Sequence, residues 1–139
     1  MICNGQLFQS DDEFLDAFLT CRVPASSFDH RGHLRVAWIL LQKLPLEAAV
    51  TETCDGIQRL ATHLGAPGKY HRTLTEALVR VMATLGAQDR SLSFEAFLLA
   101  NPALVDDARG LIGRHYSAAL LGTPEARTTF VAPDLTPIR

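Results

Sequence analysis

No stretch of this chain approaches the roughly 18 consecutive apolar residues that a membrane-spanning helix needs. Its opening residues, Met1-Ile2-Cys3-Asn4-Gly5, lack the basic start and apolar run of a secretory signal, so a cytoplasmic protein is expected. Cysteine is scarce. Cys3, Cys21 and Cys54 are odd in number and show no paired spacing, which argues against a disulfide framework. Positive charge is also in short supply: 13 Lys and Arg against 15 Asp and Glu leave a net charge of -2. The basic side chains (Arg31, Arg35, Arg59, Lys69, Arg72, Arg80) are scattered rather than massed. Phosphate attraction is what nucleic-acid binding rests on, so neither nucleic acid nor a membrane surface is expected as partner. Alternating strand patterns, repeats, low-complexity tracts and an interdomain linker are missing too. What remains is a chain of 139 residues, 47% hydrophobic and 20% charged, which suits one domain with its own core and not a disordered chain.

Helical signals are plentiful. Ser10-Asp11-Asp12-Glu13 is a capping box, and Phe14, Leu15, Phe18 and Leu19 after it fall on one face of a helix reaching about residue 20. Pro24 breaks the chain, and Ser26 or Ser27 can cap a second helix over about 28–43. Its stripe is His30, His33, Ala37, Leu40 and Leu41, so the imidazoles extend the core-facing side. Pro45 opens a third helix over about 46–64, with Val50, Cys54, Ile57, Ala61 and Leu64 inward and Gly65 as a left-handed cap. A glycine-rich loop then delivers Tyr70 and His71 to a fourth helix striped by His71, Leu74, Leu78, Val81 and Leu85. Ser91 or Ser93 caps a short helix, and Pro102 starts a last long one lined by Leu104, Ala108, Leu111, Ile112 and His115. Thr123-Pro124-Glu125 begins one more turn, and the prolines of 131–138 impose an extended tail. The expected fold is all-α, a compact single-domain bundle of about five helices with an extended C-terminal tail.

The only concentration of chemistry is histidine. Side chains three apart on a helix stand about 5–6 Å apart at their roots, close enough for His30 and His33 to share one ligand. His71, opening a neighbouring helix, would complete a three-histidine site with an open coordination position. The expected cofactor is therefore one divalent transition metal (zinc, iron or copper), with no nucleotide cofactor. The competing reading is metal-free: hydrogen-bonded pocket histidines that bind a ligand or act as acid and base. Tyr70 and Thr75 are the catalytic candidates beside them, able to orient a substrate or exchange a proton. Thr73, His115 and Tyr116 are substrate-binding candidates, although Thr73 is the natural cap of its helix. His63 falls off the inward stripe and is expected at the surface, and Cys54 reads as a small buried hydrophobe. Asp29 fits the acidic first turn of its helix, and Glu76 could orient an imidazole. Glu125, Arg127 and Asp134 read as an ion-paired pin for the tail. The segment from Ile57 to Leu78 also loosely matches a DNA-reading helix-turn-helix, but its loop is too long and the net charge is wrong.

Three segments together, Phe28 to Ala37, Gly65 to Thr75, and Tyr116 through Pro124-Glu125-Ala126-Arg127 to Pro137, carry a wider pattern. It reads F-x-H-x-x-H-L, K-Y-H-x-T-x-T and P-E-A-R…F-V-x-P-D-L. From about residue 28 onward the chain resembles a family of small, all-helical bacterial proteins with no assigned activity. The resemblance implies motif positions rather than a reaction: His30, His33, Tyr70, His71, Thr73, Thr75, Glu125, Arg127 and Asp134. His115 departs from it, standing where a second tyrosine is expected. The sequence thus points to an enzyme acting on a small organic molecule in a histidine-lined, metal-binding pocket. The alternative is a ligand-binding or sensing bundle that uses the same pocket without metal. A small-molecule ligand is the expected partner, in a monomer or a homodimer.

Overall fold

The computed structural model describes residues 10–138 and is all-α. The expectations on Met1 to Gly5, Cys3 included, lie outside the described residues. Five helices of seven residues or more make up the body: α1 (Asp11–Leu19), α2 (His30–Lys43), α3 (Leu46–His63), α4 (Arg72–Thr84) and α5 (Phe94–Ala100). Four short ones follow: α6 (Ala103–Asp106), α7 (Ala108–Gly113), α8 (Ala118–Leu121) and α9 (Pro124–Thr128). Among the described residues no helix is long and apolar enough to cross a membrane.

Local signals set most boundaries. The capping box at Ser10 forms in both directions, Ser10 Oγ accepting from Glu13 N at 3.0 Å and Glu13 Oε1 from Ser10 N at 3.2 Å. Gly65 (φ 78°) closes α3 as a left-handed cap: Ala66 N donates to Ala61 O and Gly65 N to Thr62 O. Cys21 does the same for α1 at φ 56°, a conformation that glycine adopts at lower cost.

Two starts differ from expectation. A 3-10 turn at Ala25–Ser27 uses up the serines, and Asp29 caps α2 instead, its carboxylate accepting from Gly32 N at 2.9 Å. His30 is therefore the first residue of the helix. The long helix expected from Pro102 to His115 breaks at Asp107 (φ -153°), whose side chain caps α7 through Gly110 N at 3.1 Å. A competent N-cap followed by glycines at 110 and 113 outweighs the apolar periodicity there.

α2 is the buried centre. Leu34, Val36, Ala37, Ile39, Leu40 and Leu41 are almost wholly removed from water, packed against α1, α3 and α4. Burial of each leucine or isoleucine contributes roughly 2 kcal/mol. Where α1 meets α3 the approach is close: a Cβ on Gly56 would lie 2.4 Å from the Phe18 ring, which is itself fully buried. Gly56→Ala should therefore destabilise the protein by about 2 kcal/mol, despite alanine's better helix propensity, because the ring has nowhere to go. Urea unfolding checks this; an alanine variant as stable as wild type would show that the contact is loose.

Candidate functional site

Beneath the first turn of α2 lies a cavity of about 380 Å³. α2 contributes His30, His33 and Ala37, α3 contributes Thr53 and Ile57, α4 contributes Leu74, Thr75, Leu78 and Val79, and α7 contributes Ala108, Arg109 and Ile112. Apolar wall dominates, with polar groups gathered at the imidazoles. A smaller cavity of about 250 Å³ adjoins it, bounded by Leu60, Ala61, Leu64, Lys69 and Tyr70. Phe28, His33 and Ile57 belong to both walls.

His33 is the best-defined group. Its Nδ1 is 2.8 Å from the carbonyl of Asp29, which can only accept, so Nδ1 carries the proton and Nε2 the lone pair. The ring is half-buried and lies against Phe28, with centroids 4.2 Å apart. Burial pushes the imidazole below the ordinary value of 6.5, the hydrogen bond to Asp29 opposes this, and nearby His30 adds to the lowering. His33 is thus neutral at pH 7. Gly32 makes the local geometry feasible, since a Cβ there would press on Ser27 O at 2.8 Å.

His30 is more exposed. Its Nε2 donates to Leu104 O at 2.7 Å, tying α2 to α6 and leaving Nδ1 with the lone pair when the ring is neutral. Each of these two histidines therefore keeps one ring nitrogen for a ligand.

His71 has none to spare. It is the N-cap of α4: Nδ1 accepts from Leu74 N at 3.1 Å, and Nε2 donates to Leu121 O at 2.8 Å. The ring borders neither cavity. As arranged, the set His30, His33 and His71 does not fit one metal ion, because a bond to His71 requires breaking one of its two hydrogen bonds. Among the described residues, no group of three or more His, Cys, Asp or Glu is placed to hold a metal. His71→Ala is expected to cost about 2 kcal/mol by losing cap and tether together, and His71→Asn about half of that. Thermal melts with and without added zinc check this: a loss confined to the zinc-loaded protein would make His71 a ligand instead.

The hydroxyl candidates divide. Thr75 borders the larger cavity; its Oγ1 donates to His71 O at 2.8 Å and can still accept. Tyr70 borders the smaller one. Among the described residues its buried hydroxyl has no oxygen or nitrogen partner and lies beside the Cys54 thiol, and burial raises the phenol well above its ordinary value, so it stays protonated. Burial likewise pushes the Cys54 thiol to about 11, which leaves it inert as a nucleophile.

The three substrate-binding candidates lie elsewhere. Thr73 is not the cap; its Oγ1 donates to Thr129 O at 2.9 Å and accepts from Val131 N at 3.2 Å. Tyr116 Oη donates to Val131 O at 2.6 Å and His115 Nδ1 to Thr136 O at 2.7 Å. All three hold the C-terminal segment. The expected tail pin also takes another form: Asp134 accepts from Ser117 N and Oγ, while Arg127 donates to Gly68 O and Tyr70 O. Glu76, expected to orient an imidazole, is instead buried and gripped by Arg72 and Arg80, each at 2.9 Å. His63 is exposed as expected.

The chain matches no family model, no curated protein and no solved structure. The site must therefore speak through its own chemistry. Two of its members escape sequence reading. Thr53 is fully buried in the wall, with a hydroxyl that has no partner among the described residues. Arg109 stands exposed at the edge and has no ion pair among the described residues.

Proposed function

We propose that this protein is a small-molecule enzyme that performs acid–base chemistry in the histidine-lined cavity, with His33 as the base. The observation that carries the reading is the state of one ring. A backbone carbonyl fixes the His33 tautomer, an aromatic face fixes its plane, and partial burial keeps it unprotonated at neutral pH. General bases need this combination of fixed orientation and a pKa at or below the working pH. His30, close by and more exposed, is suited to exchange the proton with water. Thr75 can accept a hydrogen bond from the substrate, and Tyr70 remains a buried donor beside the second cavity. The resemblance to a bacterial family is consistent with this placement, since two of its three motif segments carry these cavity residues.

The metal reading keeps one supporting observation: His30 Nδ1 and His33 Nε2 are both uncommitted and belong to neighbouring rings. A metal there would have two protein ligands rather than three. Elemental analysis of tag-free protein decides between the readings: near-stoichiometric zinc, iron or copper that disappears in His33→Ala favours the metal. Metal-free protein that turns over a member of a panel of small organic acids, esters and amides, with turnover lost in His33→Gln, favours the base. A panel without turnover, together with ligand-induced stabilisation that chelators leave unchanged, would make the protein a binding or sensing module instead.

A further inference from the structure

We propose that the larger cavity takes a neutral, compact apolar alcohol whose hydroxyl donates to His33 Nε2. The inference rests on the proposed function for the place of His33, and it names the ligand chemistry that the imidazole would meet. Hydrogen-bond valence decides the class. His33 donates Nδ1–H to Asp29 O and keeps an acceptor at Nε2, while Thr75 donates its hydroxyl to His71 O and keeps only lone pairs. His30, with Nε2–H donated to Leu104 O, is likewise left with an acceptor at Nδ1. A ligand that offers acceptors alone, such as a ketone, would cover these lone pairs without pairing them. Thr53 has the complementary need. It is 1% exposed, and its hydroxyl has no partner among the described residues, so it can donate to a ligand oxygen. An alcohol answers both, because one group donates and accepts. Charge selects no ion: Asp29 and Arg109, the charged residues of the wall, are opposite in sign and both exposed. Ala37, Ile57, Leu74, Leu78, Val79 and Ile112 make the rest of the wall hydrocarbon. An apolar cavity of about 150 Å³ holds benzene, so one of about 380 Å³ has room for a bicyclic skeleton.

Isothermal titration of the full chain with borneol, camphor and bornylamine, an alcohol, a ketone and an ammonium ion on one carbon skeleton, tests this. Borneol should bind at least about fivefold more tightly than camphor, the usual effect of one hydrogen bond, and more tightly than bornylamine. His33→Leu should bring borneol down to the level of camphor. Thr53→Val, which keeps the shape and removes the hydroxyl, should instead weaken both by a similar factor, since a carbonyl can accept from Thr53 as well. Ala108→Phe, narrowing the cavity from a half-buried position, should weaken all three. Nitrogen NMR of the wild-type imidazoles gives a second readout if a variant fails to fold: borneol should shift His33 Nε2, and camphor should shift it far less. Camphor binding as tightly as borneol, bornylamine binding more tightly, full borneol affinity in Ala108→Phe, an unshifted Nε2, or no borneol binding would each overturn the proposal. The base role fails separately. Preference for borneol with no turnover of any substrate removes the enzyme and keeps the ligand, whereas His33-dependent turnover without that preference does the reverse.

Discussion

His33→Gln is expected to lower turnover of any substrate found for this protein by at least about 100-fold, the usual contribution of a positioned general base. Glutamine is close to imidazole in reach but cannot take up a proton at neutral pH, so the loss isolates proton transfer from shape. Stability should change little, because the ring is only half-buried and its one hydrogen bond is to the adjacent turn. The pH dependence follows from the direction of the shift. Wild-type rate should rise with pH as His33 loses its proton, with a midpoint below the ordinary histidine value of 6.5, since burial lowers this group. Folding stability has the same sense. Below pH 6.5 the unfolded chain binds more protons at this histidine than the folded one, so His33 makes the fold less stable as pH falls, and contributes nothing above that range. His33→Gln should remove that part of the acid sensitivity. Activity at wild-type level in the variant would end the base assignment.

The largest loss of stability is expected at Glu76→Ala. Its carboxylate is 5% exposed and lies between Arg72 and Arg80; Arg80 also pairs with Glu47 at 2.9 Å, and Arg72 lies 4.0 Å from Asp55. Removing one partner from a buried charged network leaves the other charges desolvated and typically costs 3–5 kcal/mol. Here both guanidinium groups are about a quarter exposed and keep second partners, so about 3 kcal/mol is expected, or ~10 °C in melting temperature for a chain of this size. Glu76→Gln, which still accepts hydrogen bonds, should cost about half as much. A calorimetric melt of both variants checks the pair; an alanine variant within about 1 kcal/mol of wild type would mean that solvent already screens the network.

Sequence legibility followed the kind of interaction involved. Caps that depend on a few neighbouring residues were readable: the Ser10–Glu13 box, Gly65 after α3, and Ser93, whose Oγ accepts from Ala96 N. So was the pairing of His30 with His33, because helical spacing alone brings them together. His71 was legible as a special position but not in its role. A histidine that caps a helix through Nδ1 while Nε2 reaches a carbonyl 50 residues onward depends on where Leu121 comes to rest. Thr73, His115 and Tyr116 were misleading for the same reason. Polar groups that could face a ligand instead hold down residues 129–136, a partner that only tertiary folding supplies. Thr53 did leave a trace, a hydroxyl four residues before inward-facing Ile57 on α3. Arg109 left none, since the break at Asp107 re-aims everything after it.

Nitrogen-detected NMR of imidazole-labelled protein tests the central claim most directly. The account predicts a His33 ring protonated at Nδ1 with a free Nε2 that titrates below 6.5, and a His71 ring whose Nε2 carries the proton donated to Leu121 O while Nδ1 accepts from Leu74 N. A His33 proton on Nε2, or a His33 titration above 6.5, would contradict it.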